Sequence, residues 1–193
     1  QLNFLIGSGA SLPAIPLMGM IKENSEKKRN NVLQNIVKEI SKIITNNTYY
    51  NKNFIEPQAI KILKTYKTYT EFINVVIDLL AYSNSRETSR SVNIFTTNYD
   101  LFLEAAIDKN LKNKRFIFND GAEGYFKRIL NSSNYNRVVA YKGINDNYIN
   151  EIPSINLIKP HGSMNWEKNV SNDEIIVKNE VVKKPFVVLP TGF

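Results

Sequence analysis

The sequence predicts an α/β fold: an open parallel sheet with flanking helices. Three observations carry that reading. Short apolar runs at residues 2–6, 92–95 and 155–158 have the length and the bounding residues of buried strands. Each is followed by a polar or glycine-bearing segment: Gly7-Ser8-Gly9-Ala10-Ser11, Thr96-Thr97-Asn98-Tyr99-Asp100 and Pro160-His161-Gly162-Ser163. Amphipathic helical patterns occupy the intervals. Segments so placed lie just outside the carboxyl ends of the strands, where open α/β sheets bind ligands.

The first strand, residues 2–6, leads into a loop over 7–16 marked by glycine and proline. Residues 31–45 set Val32, Leu33, Ile36, Val37, Ile40, Ile43 and Ile44 at helical spacing. Two further helices are expected at 56–67 and 69–82, the second with Phe72, Ile73, Val76, Leu79 and Leu80 on one face. So much helix exceeds a simple βαβ crossover, and residues 20–88 read in large part as a helical insertion over the sheet. After the strand at 92–95 comes a helix over 101–110, with Asp100 at the positive end of its dipole. Short strands are expected at 116–118 and 138–141, a turn-rich loop at 119–124 and a helical segment at 125–130. Residues 174–183 read as a β-hairpin turning at Lys178-Asn179, and 186–190 as another strand-like run. The polar stretch 145–150 is too short for a domain linker, so residues 1–193 form one domain. Gln1 stands one residue before a strand and Phe193 soon after another, which predicts a chain continuing beyond both.

Composition narrows the chemistry. Hydrophobic residues make up 42% of the chain, enough for a core. The net charge of +7 comes from 25 basic and 18 acidic residues. The lysines are scattered, as in 109–115, without a dense block interleaved with aromatics; a solvated basic surface is favoured over a nucleic-acid interface. The absence of cysteine excludes disulfides, a thiol nucleophile and Cys-ligated zinc, and fits a reducing cytoplasm. One histidine excludes a histidine-rich metal site. No apolar run approaches the length of a membrane span, and the start has no signal-peptide pattern.

Each strand-end segment has a functional reading and a purely structural one. Gly7 and Gly9 allow a tight turn and close approach to a phosphate, with Ser8 and Ser11 adding hydroxyl donors and a following helix start holding the anion. The dinucleotide fingerprint is incomplete, since Leu12 stands where its third glycine would be; a plain strand-to-loop turn is the alternative. Asn98 can donate and accept, orienting a ribose hydroxyl or a water, while Asp100 can accept from a carboxamide. Alternatively both cap the helix beyond them. A histidine side chain titrates near neutral pH, so His161 suits a general base, against the alternative of a packing or surface residue. No Gly-x-Ser-x-Gly elbow supports a serine triad.

Taken in order, the three segments resemble the sirtuin-type, Rossmann-like NAD-binding fold, which has a Gly-x-Gly-x-Ser loop, a Thr-x-Asn-x-Asp segment and then a His-Gly. Ile15-Pro16 matches the Ile-Pro of that family's cofactor loop. The resemblance does not cover residues 20–88. Sirtuin deacylases carry a zinc module of four cysteines, which this chain lacks. Their Asp-Phe-Arg is replaced by Leu17-Met18-Gly19, and their glutamine before the asparagine by Thr97. The Thr-Thr-Asn-Tyr-Asp and His-Gly-Ser forms look instead like the sirtuin-like domains of bacterial anti-phage defence proteins, which degrade NAD. A downstream Gly-x-Ser segment that the family uses for the adenosine side is not found before Phe193.

The resemblance implies an NAD glycohydrolase that needs no metal. Asn98 and His161 would be catalytic. Gly7, Ser8, Gly9, Ala10, Ser11, Pro16, Thr97, Asp100, Gly162 and Ser163 would bind NAD. It also implies control by a homo-oligomer, a regulatory partner or additional domains, in the cytoplasm and off the membrane. Two other functions stay open: an NAD-dependent protein deacylase, and a non-catalytic nucleotide-sensing module. NAD and NADP are not distinguished, because no acidic residue at the fingerprint distance is assigned to the ribose.

Overall fold

The computed structural model describes residues 2–46, 56–82, 90–142 and 149–188. Strand β1 (Leu2–Ile6) is followed by helices α1 (Glu26–Thr45) and α2 (Glu56–Tyr82), then β2 (Ser91–Thr96) and α3 (Phe102–Leu111). Short strands follow: β3 (Ile117–Asn119), β4 (Ala122–Glu123), β5 (Arg128–Leu130), β6 (Ala140–Lys142) and β7 (Ile149–Glu151). The described chain then runs through β8 (Ser154–Ile158), β9 (Trp166–Asn169) and β10 (Glu174–Val177).

Side chains alternate along β2: Val92, Ile94 and Thr96 are buried, while Asn93 and Phe95 are half-buried on the other face. This strand sits inside a four-stranded parallel sheet of order β1-β2-β8-β3. The link from β1 to β2 carries α1 and α2, and the link from β2 to β3 carries α3, passing the position of β8. Leu33, Val37 and Ile40 of α1, Ile73 and Val76 of α2, and Phe102 and Ile107 of α3 join Val92, Ile94, Ile155 and Leu157 in one buried cluster. An α/β fold with flanking helices is thus what the chain adopts. No helix among the described residues is long and apolar enough to cross a membrane.

The other face of the sheet carries a ladder of asparagines. Asn3, Asn93, Asn156 and Asn119 occupy matching register positions on β1, β2, β8 and β3. The Asn119 amide donates to Asn156 (3.0 Å), Asn156 to Asn93 (2.8 Å) and Asn93 to Asn3 (2.9 Å). Beyond the main sheet, β4, β5, β10 and β9 form an antiparallel sheet, and β6 pairs with β7 in a two-stranded ribbon.

Five expectations change. The helices expected at 56–67 and 69–82 are one helix, α2. No glycine or proline interrupts residues 67–69, and the Thr68 and Thr70 hydroxyls bond back to the carbonyls of Lys64 and Tyr66 one turn earlier, leaving the ladder unbroken. Helix α1 starts five residues before its apolar pattern: Ser25 caps it, accepting from the Lys28 amide at 3.3 Å, and Glu26 meets the dipole. Residues 125–130 are not helical. They form the tip of a hairpin and β5, because Gly124 turns at φ 129°, where a Cβ would lie 2.1 Å from the Lys127 carbonyl oxygen. The hairpin expected to turn at Lys178-Asn179 lies earlier: β10 pairs with β9 across a turn over 170–173, with Asp173 at φ 52°. Lys178 continues that pairing, its amide donating to the Asn165 carbonyl at 2.9 Å. The strand near 138–141 forms at 140–142 and lies in the ribbon. Residues 47–55 and 83–88 of the expected insertion, 145–148 of the polar stretch and 189–190 of the last strand-like run lie outside the described residues.

Candidate active site

Strands β1, β2 and β8 end close together, since Ile6 pairs with Thr96 and Phe95 with Ile158. The segments that follow therefore emerge side by side. Thr96 fastens two of them: its hydroxyl donates to the Ile6 carbonyl (2.9 Å) and accepts from the Asn98 amide (3.0 Å). The third is fastened by Met164, whose amide donates to the Tyr99 carbonyl at 2.9 Å.

Between these segments lies a pocket of about 260 Å³. Ser8, Ser11, Pro16, Thr97, Asn98, Asp100 and His161 line it, from all three strand ends. Leu33 and Val37 of α1 and Ile15, Leu17 and Met18 supply an apolar wall. A larger, open groove of about 1130 Å³ runs past Tyr66, Glu104, Lys109 and Arg128, and holds none of the residues expected at the site. The smaller pocket is the candidate, because the polar groups converge there.

The floor of the pocket is a hydrogen-bonded cluster. The Ser11 hydroxyl donates to Asp100 Oδ2 at 2.7 Å and lies 3.0 Å from the Tyr69 hydroxyl. Asn98 Nδ2 donates to the Gly7 carbonyl (3.0 Å), to Ser11 Oγ (3.2 Å) and to Tyr69 Oη (3.4 Å). Asn98 Oδ1 is buried and has no partner. Asp100 Oδ1 accepts from the Phe102 amide at 3.1 Å, so Asp100 does cap α3, while Asn98 does not. Burial drives the phenol of Tyr69 well above its ordinary pKa, and the Asp100 carboxylate adds to the rise, so its proton stays in place as a donor. Burial likewise raises Tyr99, with Asp100 again contributing.

His161 is half-buried on the opposite wall, and its ring makes no hydrogen bond to a described residue. Its main chain is held firmly, the carbonyl accepting from the Val188 amide at 2.8 Å. Gly162 and Ser163 do not reach the pocket lining. Gly162 is buried at φ 86° against the Phe186 carbonyl. Ser163 is fully buried and accepts from Lys159 Nζ at 3.0 Å. Gly7, Gly9 and Ala10 form an exposed turn beside the pocket. That turn is a single 3-10 turn, Ser8–Ser11, with no α-helix behind it, so the helix-start contribution to anion binding is missing. A Cβ at Gly7 or Gly9 would meet no protein atom within 4 Å, which leaves the space over the turn open to a ligand.

Two residues in this architecture were not singled out in the sequence. Tyr69 reaches the floor from the middle of α2, and only its place on the buried face of that helix could have hinted at it. Lys159 is 4% exposed and donates to the Asp100 carbonyl (2.5 Å), Glu104 Oε1 (2.8 Å) and Ser163 Oγ (3.0 Å). Its signal was weak: a lone lysine directly before Pro160-His161. Burial raises the Glu104 pKa, although Lys159 pulls it down. No group of three or more histidine, aspartate or glutamate side chains among the described residues could hold a metal.

An open parallel sheet, a glycine turn after its first strand, and Asn and His side chains lining one strand-end pocket define an α/β domain of Rossmann-like type. Residues 92–181 match the family model of the SIR2-like domain, which supports a sirtuin-like domain over that part of the chain. That region spans β2 to β10 and includes Asn98, Asp100 and His161; the Gly7–Ser11 turn lies before it. SIR2-like domains use NAD, and the family is generally one of NAD-dependent enzymes. No curated protein matches the chain.

Proposed function

We propose that the protein hydrolyses NAD at the bond between nicotinamide and ribose. The observation that carries this reading is the buried, unpartnered Oδ1 of Asn98, a residue that lines the same pocket as His161. An acceptor buried without a partner costs about 1–3 kcal/mol, a cost that a bound hydroxyl or water would remove. As the C1′–N bond breaks, its electron pair leaves with nicotinamide, and positive charge develops on the ribose. Asn98 Oδ1 accepts from the attacking water or a ribose hydroxyl. His161 takes the proton released as the water oxygen bonds to C1′. The open turn at Gly7 and Gly9 lies over the pyrophosphate, so remote binding energy places the reacting end. Asp100, already serving Ser11 and α3, offers its remaining lone pairs to the carboxamide.

The absence of a four-cysteine zinc module favours water over an acyl-lysine as nucleophile. The Thr-Thr-Asn-Tyr-Asp and His-Gly-Ser forms support an NAD-depleting effector of bacterial defence. Such an effector works in the cytoplasm and is silenced until triggered, by oligomerisation, a partner or further domains.

Nicotinamide release from NAD by the protein is expected to fall about 10²–10⁴-fold in Asn98→Ala and in His161→Ala. Unchanged release in both would overturn the site. Release that requires an acylated peptide would identify a deacylase, and tight NAD binding without turnover a sensor.

A further inference from the structure

We infer that Tyr69, on the helical segment outside the family match, is a positioning residue that fixes the side-chain amide of Asn98 so that Oδ1 is left free for the substrate. The inference rests on the reading of Asn98 as the residue that meets the reacting water or ribose.

The direction of every hydrogen bond in the cluster can be worked out from its ends. Asp100 Oδ2 only accepts, so the single proton of Ser11 is committed to it at 2.7 Å. Ser11 Oγ must then accept from its other neighbours. The Tyr69 hydroxyl, 3.0 Å away, is therefore the donor to Ser11. Its own lone pair faces Asn98 Nδ2 at 3.4 Å. The Gly7 carbonyl also only accepts, and lies 3.0 Å from the same nitrogen. Three acceptors thus surround one end of the amide. Rotating it by half a turn would set Oδ1 against the Gly7 carbonyl and against a serine oxygen whose proton is already spent. The amide has one acceptable orientation, and in it Oδ1 is the atom without a partner.

Tyr69 can hold this geometry because it is itself held. It is 4% exposed, and its ring stacks on Phe102 with centroids 5.5 Å apart and planes 8° from parallel. Phe102 opens α3 and donates its amide to Asp100 Oδ1, so Tyr69, Asp100 and Ser11 are braced against one helix start. Burial keeps the phenol protonated and hence a donor. Removing the hydroxyl costs Ser11 its incoming donor and Asn98 one acceptor, and leaves the stacking untouched.

Tyr69→Phe is the test, read in two ways. In steady-state NAD hydrolysis, kcat is expected to fall about tenfold with KM within a factor of about two, because the lost interaction orients the reacting centre rather than holding the substrate. In Ser11→Ala, where the relay is already cut, adding Tyr69→Phe is expected to lower kcat by much less than tenfold. Tyr66→Phe, three residues away and off this pocket, is the control and keeps the wild-type kcat. Independently of turnover, the Asn98 side-chain ¹⁵N–¹H₂ resonances, assigned by their loss in Asn98→Ala, are expected to shift and exchange faster with solvent in Tyr69→Phe. Unchanged resonances in Tyr69→Phe would overturn the inference, as would a kcat loss that Tyr66→Phe reproduces. If wild-type protein turns over no NAD yet the Asn98 resonances respond, the hydrolase reading fails and the positioning role stands.

Discussion

Lys159→Met will destabilise the protein by about 3–5 kcal/mol, the usual cost of stripping one partner from a buried ion pair. The lysine side chain is 3% exposed and serves three acceptors, of which the Glu104 carboxylate is the charged one. Methionine keeps the bulk and leaves that carboxylate, the Asp100 carbonyl and the Ser163 hydroxyl without their donor. For a domain of this size the loss corresponds to roughly 6–20 °C in Tm. The effect depends on pH, and its sign follows from Glu104. Burial already raises its pKa against the pull of Lys159, and the substitution removes that pull. A carboxyl with a raised pKa binds more protons folded than unfolded, so stability is greatest below the unfolded value and falls as pH rises toward the folded one. Urea unfolding should therefore show a smaller deficit at pH 5 than at pH 8. Adding Glu104→Gln should restore part of the loss. An equal deficit at both pH values, with no recovery in the double variant, would show that the charge is not what the lysine offsets.

Gly162→Ala is the second large effect expected. At φ 86° an L residue costs about 1–2 kcal/mol. The added Cβ would also stand 2.1 Å from the Phe186 carbonyl oxygen, a backbone atom that cannot swing aside. Residues 186–188 must then move, straining the bonds from Val188 to His161 (2.8 Å) and from Ser163 to Phe186 (3.2 Å), each worth roughly 1 kcal/mol. A total on the order of 3–4 kcal/mol follows, together with a displaced His161. Thermal unfolding checks the first and NAD hydrolysis the second. An alanine variant with wild-type Tm would show that 186–188 yields without cost.

The main sheet was legible because its strands are short apolar runs followed by glycine, asparagine or histidine, a local signal, although the first of them, expected to be buried, leaves Leu2 and Leu5 exposed at the sheet edge. Residues 125–130 were not, since a Tyr-Phe pair beside isoleucine and leucine suits helix or strand equally. Gly124, standing just before that stretch, settled it through a positive φ that sequence alone does not display. The position of the β9–β10 turn was equally hidden: Lys-Asn at 178–179 is ordinary turn chemistry, yet Glu174–Val177 pairs with Trp166–Asn169, a partner eight residues earlier in the chain. Asn98, Asp100 and His161 could be read from strand-end placement and from resemblance. Tyr69 and Lys159 could not, because their roles depend on contacts 29 residues away in one case and 59 in the other.

The four asparagines on the far face bear on the site from a distance. A strand that slips by one residue moves about 3.3 Å and turns every side chain to the opposite face. In this sheet such a slip would also break an amide-to-amide bond with each neighbour. The row of asparagines works as a levelling bar: it fixes the heights at which β1, β2 and β8 end, and therefore the offset between Gly7, Asn98 and His161. The alignment of a reaction centre is set in part by residues on the opposite side of the sheet that no substrate meets.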